Sequence, residues 1–348
     1  MATIDSFDIR RYTSRNWSDE IGLVESLYSS FERIGLAKLA ASRIRTYRRI
    51  YTEFRDAAKA GRRLTQSEAE EIFGTLVEVH QLQRIVAAAT ASERAAVWVD
   101  HLRKLISGPP TLRPSGRHSA SWDYQFEAFM AAVAVLSGYS VQFNEPDVVV
   151  DGPDGRFGIA AKRPRSMAKF GSRLSEGAHQ VNQTALPGVI ALDLSFALYP
   201  GQCINADSVE AAVAFLTAAA KRTLDQNIVR VKSIFERPGI LGILVQIHLP
   251  ILILTGERVP PLITCIRWTV APSARDERAA WVTAFARRCE QGLLRANYRP
   301  KGRGRRVKQC PGNHRRPTKG VWLAVLRCDG SCMRTFRATS ARSLRPSR

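Results

Sequence analysis

Long apolar runs of the kind that cross a membrane are missing from this chain. The most apolar stretch, Ile240 to Leu254, is interrupted by Gln246, His248 and Pro250. It therefore predicts paired core strands instead of a membrane-spanning helix. We expect no membrane partner.

A secretory signal is also missing, because Asp5, Asp8, Arg10 and Arg11 precede any apolar run at the N-terminus. The sequence contains no internal repeat, heptad array or phosphate-binding loop. We expect a cytoplasmic protein. Its 348 residues are enough for two or three domains of roughly 100 to 200 residues each, and a hydrophobic content of 45% can fill sizeable cores.

Acidic residues are scarce at the C-terminus. Residues 299–348, here called the basic tail, contain 15 Lys or Arg and a single acid, Asp329, whereas the preceding 298 residues contain 37 basic and 30 acidic residues. The tail thus holds +14 of the net charge of +21. Such a cluster attracts polyanions by releasing condensed counterions, and the expected partner is nucleic acid, DNA in particular. An anionic membrane, an acidic protein or a purely solubilising role are the alternatives.

Cysteine is rare and unevenly placed. Cys203, Cys265 and Cys289 lie in apolar or helical contexts, which predicts reduced and buried side chains. The other three cysteines lie in the basic tail with a histidine, in two pairs that each straddle a glycine-containing turn, and predict a structural Zn²⁺ site. The predicted ligands are Cys310, His314, Cys328 and Cys332. Unpaired thiols in a flexible tail are the alternative.

Residues 1–110 predict a helical domain. Apolar residues recur there at helical spacing, which indicates a bundle of about three to five helices. Helix starts are predicted at Thr65 and Thr90, because each is followed three residues later by a glutamate, as in a capping box. A basic helix face, either solvated or in contact with DNA, is formed by Arg43, Arg45, Arg48 and Arg49.

The remainder of the chain divides into a linker, an α/β domain and the tail. A segment rich in Pro, Gly and Arg at residues 111–120 predicts the linker, and residues 121–298 predict a sheet flanked by helices. A helix is expected after a cap at Ser121. Further along the chain, helices are predicted over 207–235 and from about 275 to 294, and strands over 240–247 and 262–270.

One predicted hairpin brings an acid and an amine to strand ends. Asp147 begins a valine-rich strand, and Lys162 ends the next one. Side chains alternate along a strand, so Ala160 and Lys162 share one face, and Asp147 meets that face if the register allows it. The aspartate offers the oxygen that Mg²⁺ prefers, and the lysine offers positive charge to a phosphodiester transition state. An ordinary solvent-exposed hairpin is the alternative.

The segments around this hairpin follow a definite order. They are a helix with Phe126-Glu127-Ala128, the Pro146-Asp147 strand, the strand ending in Ala160-Ala161-Lys162, a helix with His179-Gln180 and a strand from Gly188 to Ser195. This order resembles the PD-(D/E)xK nuclease superfamily. The resemblance implies a restriction-endonuclease-like fold, a mixed sheet flanked by helices, and hydrolysis of phosphodiester bonds with Mg²⁺ or Mn²⁺. Both ends of the chain lie outside it.

The resemblance also implies roles for particular side chains. It makes Asp147 a metal ligand, Lys162 the catalytic lysine and Gln180 the helical glutamine that some members place near the site. Gln180 is otherwise an ordinary surface glutamine. Arg163 and Arg165, in the basic loop after the lysine, either contact phosphates or are simply solvated.

One position departs from the family pattern. The second acid of the family, two residues before the lysine, is replaced here by Ala160. Loss of that carboxylate weakens metal binding unless another acid substitutes for it. Glu127 is the leading substitute as a catalytic acid and Mg²⁺ ligand, because family members often contribute a helical acid. Glu145 and Asp193 are weaker candidates.

Two functions therefore emerge from the sequence. The first is metal-dependent hydrolysis of nucleic acid, DNA in particular. The second is a catalytically inactive nucleic-acid-binding protein that keeps the nuclease-like fold. A helical interaction protein whose tail binds any polyanion is a more distant third.

Overall fold

The computed structural model describes residues 14–92, 95–109, 119–254 and 262–296 of the chain. Within these ranges the helices are α1 (Ser14–Arg33), α2 (Ala37–Lys59), α3 (Gln66–Ala91), α4 (Ala95–Ile106), α5 (Ala120–Leu136), α6 (Phe170–Asn182), α7 (Ser195–Leu198), α8 (Val209–Gln226), α9 (Ile228–Phe235) and α10 (Ala279–Ala296). The strands are β1 (Ser140–Asn144), β2 (Asp147–Gly152), β3 (Gly155–Lys162), β4 (Gly188–Asp193), β5 (Ile204–Ala206), β6 (Ile240–Ile253) and β7 (Leu262–Pro272).

The seven described strands form one mixed sheet in the order β1-β2-β3-β4-β6-β5, with β7 paired to β6. β1, β2 and β3 are an antiparallel meander. β4 then pairs parallel to β3, and β6 pairs parallel to both β4 and β5. β7 closes the pattern as an antiparallel partner of β6. The α/β class that the sequence predicts is confirmed.

Apolar side chains cover both faces of the sheet. Phe157, Ile159 and Ala161 of β3 belong to the cluster that contains α5 and α10, while Ala160 belongs to the cluster under α6 and α8. This alternation is the one expected for a strand buried on both faces. It places Lys162 on the same face as Ala160, beneath α6.

The four N-terminal helices precede the sheet and share its core. Val79 and Leu82 of α3, Phe129 of α5 and Leu244 of β6 all belong to one buried cluster. The helical part is therefore attached to the sheet by continuous apolar packing, and α3 lies against both α5 and β6. The predicted linker, residues 111–120, lies for the most part outside the described ranges.

Helix α3 confirms one predicted start and corrects another. The Thr65 side chain accepts a hydrogen bond from the Glu68 amide at 3.3 Å, and the Glu68 carboxylate accepts one from the Thr65 amide at 2.8 Å, which is a capping box. The predicted start at Thr90 is wrong. Thr90 lies in the last turn of α3 and donates its hydroxyl to the Val86 carbonyl at 2.7 Å.

The basic helix face predicted on α2 is also partly wrong. Arg43 is 3% exposed, and its guanidinium donates to Glu78 Oε2 at 2.9 Å and to the Tyr47 hydroxyl at 2.6 Å. It lies on the stripe of α2 that packs inward with Tyr47 and Ile50. Arg45, Arg48 and Arg49 are exposed, so the solvent-facing set has three arginines.

Two boundaries differ from the sequence prediction for identifiable reasons. The helix predicted over 207–235 is divided at Asn227, whose side-chain amide donates to the Thr223 carbonyl at 2.9 Å and so caps α8. The paired strands predicted over 240–254 are a single strand, β6. Pro250 is tolerated because it lies between Gln246, the last residue paired with β4, and Ile251, the first paired with β5.

Four further expectations concern the start of α5, the isolated cysteines, membrane-spanning helices and the basic tail. α5 begins at Ala120 with Ser119 as its N-cap, so the predicted cap at Ser121 is displaced by two residues. Cys203, Cys265 and Cys289 are buried free cysteines, as predicted. No helix in the described ranges is both long and apolar enough to cross a membrane. The basic tail, including the predicted zinc ligands Cys310, His314, Cys328 and Cys332, lies outside the described residues.

Candidate active site

Asp147 and Lys162 meet at one edge of the sheet. Asp147 is the first residue of β2 and Lys162 the last residue of β3. The antiparallel register pairs Val148 with Ile159, which brings the start of β2 level with the end of β3. Lys162 Nζ lies 2.8 Å from Asp147 Oδ2, and the Ala161 amide donates to the same oxygen at 2.8 Å.

Gln180 completes this contact from above the sheet. Its Nε2 donates to Asp147 Oδ1 at 3.3 Å, while its Oε1 is buried and has no hydrogen-bond partner within the described part of the chain. α6 can approach β3 closely because Gly177 has no side chain. A Cβ there would come within 2.8 Å of Ile190 Cγ2 and 3.5 Å of Ala160 Cβ. The structure thus brings together three of the four predicted site residues.

Glu127 approaches the same region from α5, on the other side of the sheet edge. Its carboxyl lies beside His101, whose Nε2 is 3.5 Å from Glu127 Oε2. Burial raises the pKa of Glu127 to about 8, and the negative charge of Asp147 adds to the rise, while Lys162 opposes it. Glu127 therefore lies within electrostatic reach of the Asp147–Lys162 pair and holds a proton at neutral pH.

His101 is a neighbour of the site that the sequence analysis missed. Its Nε2 donates to the Tyr124 carbonyl at 3.1 Å, and its ring stacks on Phe143 with centroids 4.1 Å apart. Burial lowers the pKa of His101 to about 4, so the ring is neutral at neutral pH. Its contact with Glu127 therefore joins two neutral groups. Only a three-dimensional contact between α4 and α5 identifies it, because His101 lies in a stretch whose local pattern indicates a plain helix.

The charge state of Asp147 reflects two opposing effects. Burial raises the pKa of its carboxyl, and the ammonium of Lys162 and the Ala161 amide oppose that rise. Both members of the pair are shielded, since the side chains of Lys162 and Asp147 are 7% and 12% exposed. The two side chains form a 2.8 Å ion pair that is largely buried.

The weaker acidic candidates do not join this group. Asp193 accepts a hydrogen bond from Arg163 Nε at 3.0 Å and is engaged with Ser195 through its other oxygen. Glu145 is exposed in the turn before β2. Arg163 is buried in its ion pair with Asp193, so the expectation that it is simply solvated is wrong.

Arg165 has a different environment from that of Arg163. Its guanidinium carbon lies 5.6 Å from the ring centroids of both Trp122 and Phe196, which places it between the two rings. The side chain is half-buried. It remains a candidate for contact with a phosphate at the edge of the site.

The described residues contain no group of three or more His, Cys, Asp or Glu side chains arranged to hold a metal ion. Asp147 and Glu127 are the two predicted metal ligands, and Glu145 and Asp123 lie within electrostatic range of them. This donor set suits Mg²⁺ or Mn²⁺, because Mg²⁺ in phosphate-handling sites is commonly bound through one or two carboxylates together with substrate phosphates and waters.

Comparison with known proteins identifies no family for this chain, so any functional assignment rests on the residues of the site. No protein-family model matches the chain, and no curated protein and no solved structure matches it either.

Proposed function

We propose that this protein hydrolyses phosphodiester bonds of nucleic acid, DNA in particular, with the help of Mg²⁺ or Mn²⁺. One observation carries the proposal. At one edge of the sheet Asp147 contacts both Lys162, at 2.8 Å, and Gln180, at 3.3 Å. The resemblance to the PD-(D/E)xK pattern predicts a role at the site for each of these three residues.

The order of elements supports a restriction-endonuclease-like core. α5, the meander of β1, β2 and β3, then α6 and β4 follow one another as a helix, three strands, a helix and a strand. β4 returns parallel to β3 after α6. The basic tail adds a second line of support, because its net charge of +14 favours a polyanionic partner.

Asp147 and Glu127 are the residues that would hold the cation. A bound divalent ion supplies positive charge to a phosphoryl group and lowers the pKa of a coordinated water. Glu127 must release its proton before its carboxylate becomes a ligand. Since its pKa is raised to about 8, cleavage should increase as the pH rises toward that value.

The other two side chains act on the substrate directly. Lys162 carries three N–H donors, and one of them faces Asp147 Oδ2, so the others remain for a phosphate oxygen. Gln180 is anchored to Asp147 by Nε2, which leaves Oε1 as an acceptor for a water that attacks phosphorus. Orientation of a nucleophile in this way is a common source of rate enhancement.

One observation favours the alternative, an inactive nucleic-acid-binding protein. Ala160 is fully buried in the apolar cluster under α6, at the position where the family pattern has its second acid. The site therefore has one carboxylate fewer on the face that carries Lys162.

The two functions differ in a cleavage assay with supercoiled plasmid DNA. The proposed nuclease nicks the plasmid in Mg²⁺ or Mn²⁺ and does not nick it in chelator, whereas the binding protein retards the plasmid without nicking it under any metal.

An Ala160→Glu variant separates the functions further. If the wild-type protein is an active enzyme, it does not need the added carboxylate. Placing that carboxylate in the apolar cluster is unfavourable, so cleavage activity does not rise. In an inactive relative, gain of nicking by this variant would identify a lost metal ligand. If both the wild-type protein and the Ala160→Glu variant bind DNA without cleaving it, the nuclease proposal is contradicted.

A further inference from the structure

A cavity of about 60 Å³ opens beside the candidate active site. Part of its lining, here called the floor, consists of buried polar side chains, namely Glu78, Gln81, Arg163, Asp193, Ser195 and His248. A water molecule requires roughly 10 to 15 Å³ of cavity volume. The cavity therefore has room for about four to six waters, or for one small heteroaromatic ring.

Hydrogen bonds connect the floor, and its charged groups are paired: Glu78 with Arg43 Nη2 at 2.9 Å, and Arg163 with Asp193. Arg163 donates to Asp193 Oδ2 at 3.0 Å and to Gln81 Oε1 at 3.2 Å. Gln81 Nε2 lies 3.3 Å from His248 Nδ1, and burial lowers the pKa of His248, which keeps that ring neutral. A floor whose charged groups are all internally paired does not select a phosphate. It suits a neutral ligand with donors and acceptors on its edge.

The rim of the cavity is aromatic. Phe73 of α3 and Phe196 and Tyr199 at α7 line it. Phe196 and Tyr199 are half-buried, so part of each ring remains accessible. Aromatic walls above a polar floor are the combination that binds a flat ring by stacking and reads its edge by hydrogen bonding.

The cavity lies at the same end of the sheet as the hydrolytic site but on the opposite face, because Arg163 contacts Gln81 of α3 whereas Lys162 lies beneath α6. Arg163 directly follows Lys162 at the end of β3, and Asp193 ends the neighbouring parallel strand β4. The carboxyl ends of these strands form the sheet edge where Asp147 lies. Arg165 lies between the rings of Trp122 of α5 and Phe196, which lines the cavity.

We propose that this cavity receives one unstacked nucleobase of the nucleic-acid strand that is cleaved. The inference rests on the proposed function, because that function supplies the nucleic-acid strand. It concerns the binding of that strand and not its hydrolysis. An unpaired base fits each of these features of the cavity, because it is flat, neutral and rich in edge donors and acceptors. Enzymes that accept a base out of its stack read it in this manner.

The test measures binding of two short single-stranded probes to the full-length protein in chelator, where cleavage is suppressed. One probe is a fluorescent oligothymidylate, and the other is an abasic strand of the same length with the same phosphates. The contribution of the basic tail is common to both and cancels in the ratio of affinities. We expect the oligothymidylate to bind about tenfold more tightly, the effect of one base stacked on an aromatic side chain.

A cavity-filling variant locates the effect. Val77 of α3 lines the cavity, and Val77→Trp should abolish the preference for the base-containing probe. The matched control is Val229→Trp on α9, where the valine is 79% exposed and the preference should persist. Thermal melting of both variants shows whether they are folded.

Equal affinity of the wild-type protein for the two probes, or no affinity for either, overturns the base-binding proposal, and neither result depends on a variant. A preference that survives in folded Val77→Trp overturns it as well. Base-dependent binding without plasmid cleavage in metal contradicts the nuclease function alone. Cleavage with equal probe affinities contradicts the base-binding cavity alone.

Discussion

At the scale of single residues, the sequence predicted the Asp147–Lys162 pair with Gln180 near it, but not the contact of Glu127 with His101. Strand alternation and one hairpin suffice to bring these two side chains to one edge, and local patterns report both. The contact of Glu127 with His101 joins two helices through the third dimension, and no spacing in the sequence encodes it. The buried role of Arg43 was missed for the same reason, since its partner Glu78 lies on another helix.

The raised pKa of Glu127 predicts an unusual pH dependence of stability. The carboxyl keeps its proton in the folded state up to about pH 8 but loses it in the unfolded chain near 4.5. The folded state thus binds more protons between these values, and the free energy of unfolding falls as the pH rises through that window, with a slope on the order of 1 kcal/mol per pH unit. Chemical denaturation across the window measures the slope.

Glu127→Gln should flatten that decline, because the amide does not titrate. Glu32→Gln, at an exposed position on α1, is the control and should leave it unchanged. An identical slope in wild type and Glu127→Gln would show that Glu127 ionises normally.

At the scale of elements, hydrophobic periodicity predicted most helices and strands, and side-chain capping decided the exceptions. Asn227 divides a helix whose apolar pattern runs on without a break, because its amide caps α8. β6 continues through Pro250 because the neighbouring strand changes there from β4 to β5. A linear pattern does not report which strand lies beside a given residue.

The close approach of α6 to the sheet is the element-scale feature on which the site depends. Gly177→Ala places a methyl group 2.8 Å from Ile190 Cγ2 and should displace α6, and Gln180 with it, away from Asp147. We expect a loss of roughly 1 to 3 kcal/mol in the free energy of unfolding, as for other overpacked cores, and a larger loss of cleavage. Denaturation and plasmid nicking measure the two effects.

Gly22→Ala is the matched control for that change. Gly22 lies in α1 with nothing within 4 Å of an added Cβ, so alanine there should stabilise the helix by about 0.5 to 1 kcal/mol. Equal stability and activity of Gly177→Ala and Gly22→Ala would show that the packing of α6 does not hold the site.

At the scale of the whole molecule, a strongly basic tail follows a much longer part of the chain that carries less of the net charge. The N-terminal helices and the sheet share a core, and most of the excess positive charge lies in the basic tail. Composition predicted that division directly, since it requires only counting. The continuous core between helices and sheet could not be read from the sequence, because amphipathic spacing shows that a helix buries a face but not what covers it.

The tail predicts how binding to DNA depends on salt. Truncation after Tyr298 should weaken duplex binding and flatten the plot of log affinity against log salt, by roughly 0.9 for each phosphate contact that is lost. Fluorescence anisotropy at several salt concentrations measures the slope. An unchanged slope would place the main binding surface on the helices or the sheet.

The cysteines and histidine of the tail predict bound zinc. Full-length protein purified without chelator should carry about one Zn²⁺ per chain, as expected for a four-ligand structural site. Cys328→Ser with Cys332→Ser should release it, while Cys203→Ser, at a buried cysteine beside β5, should retain it. Metal analysis that finds no zinc in fresh, reduced protein would contradict the site.

The central claim is that Asp147 takes part in metal-dependent hydrolysis. The most direct measurement compares plasmid cleavage in Mn²⁺ by wild type, Asp147→Asn and Asp151→Asn. Asp151 lies on the same strand and is exposed, so its variant controls for the loss of one negative charge from β2. We expect Asp151→Asn to cleave like wild type and Asp147→Asn to bind DNA but lose cleavage by at least about a hundredfold. Equal cleavage by the two variants would contradict the claim.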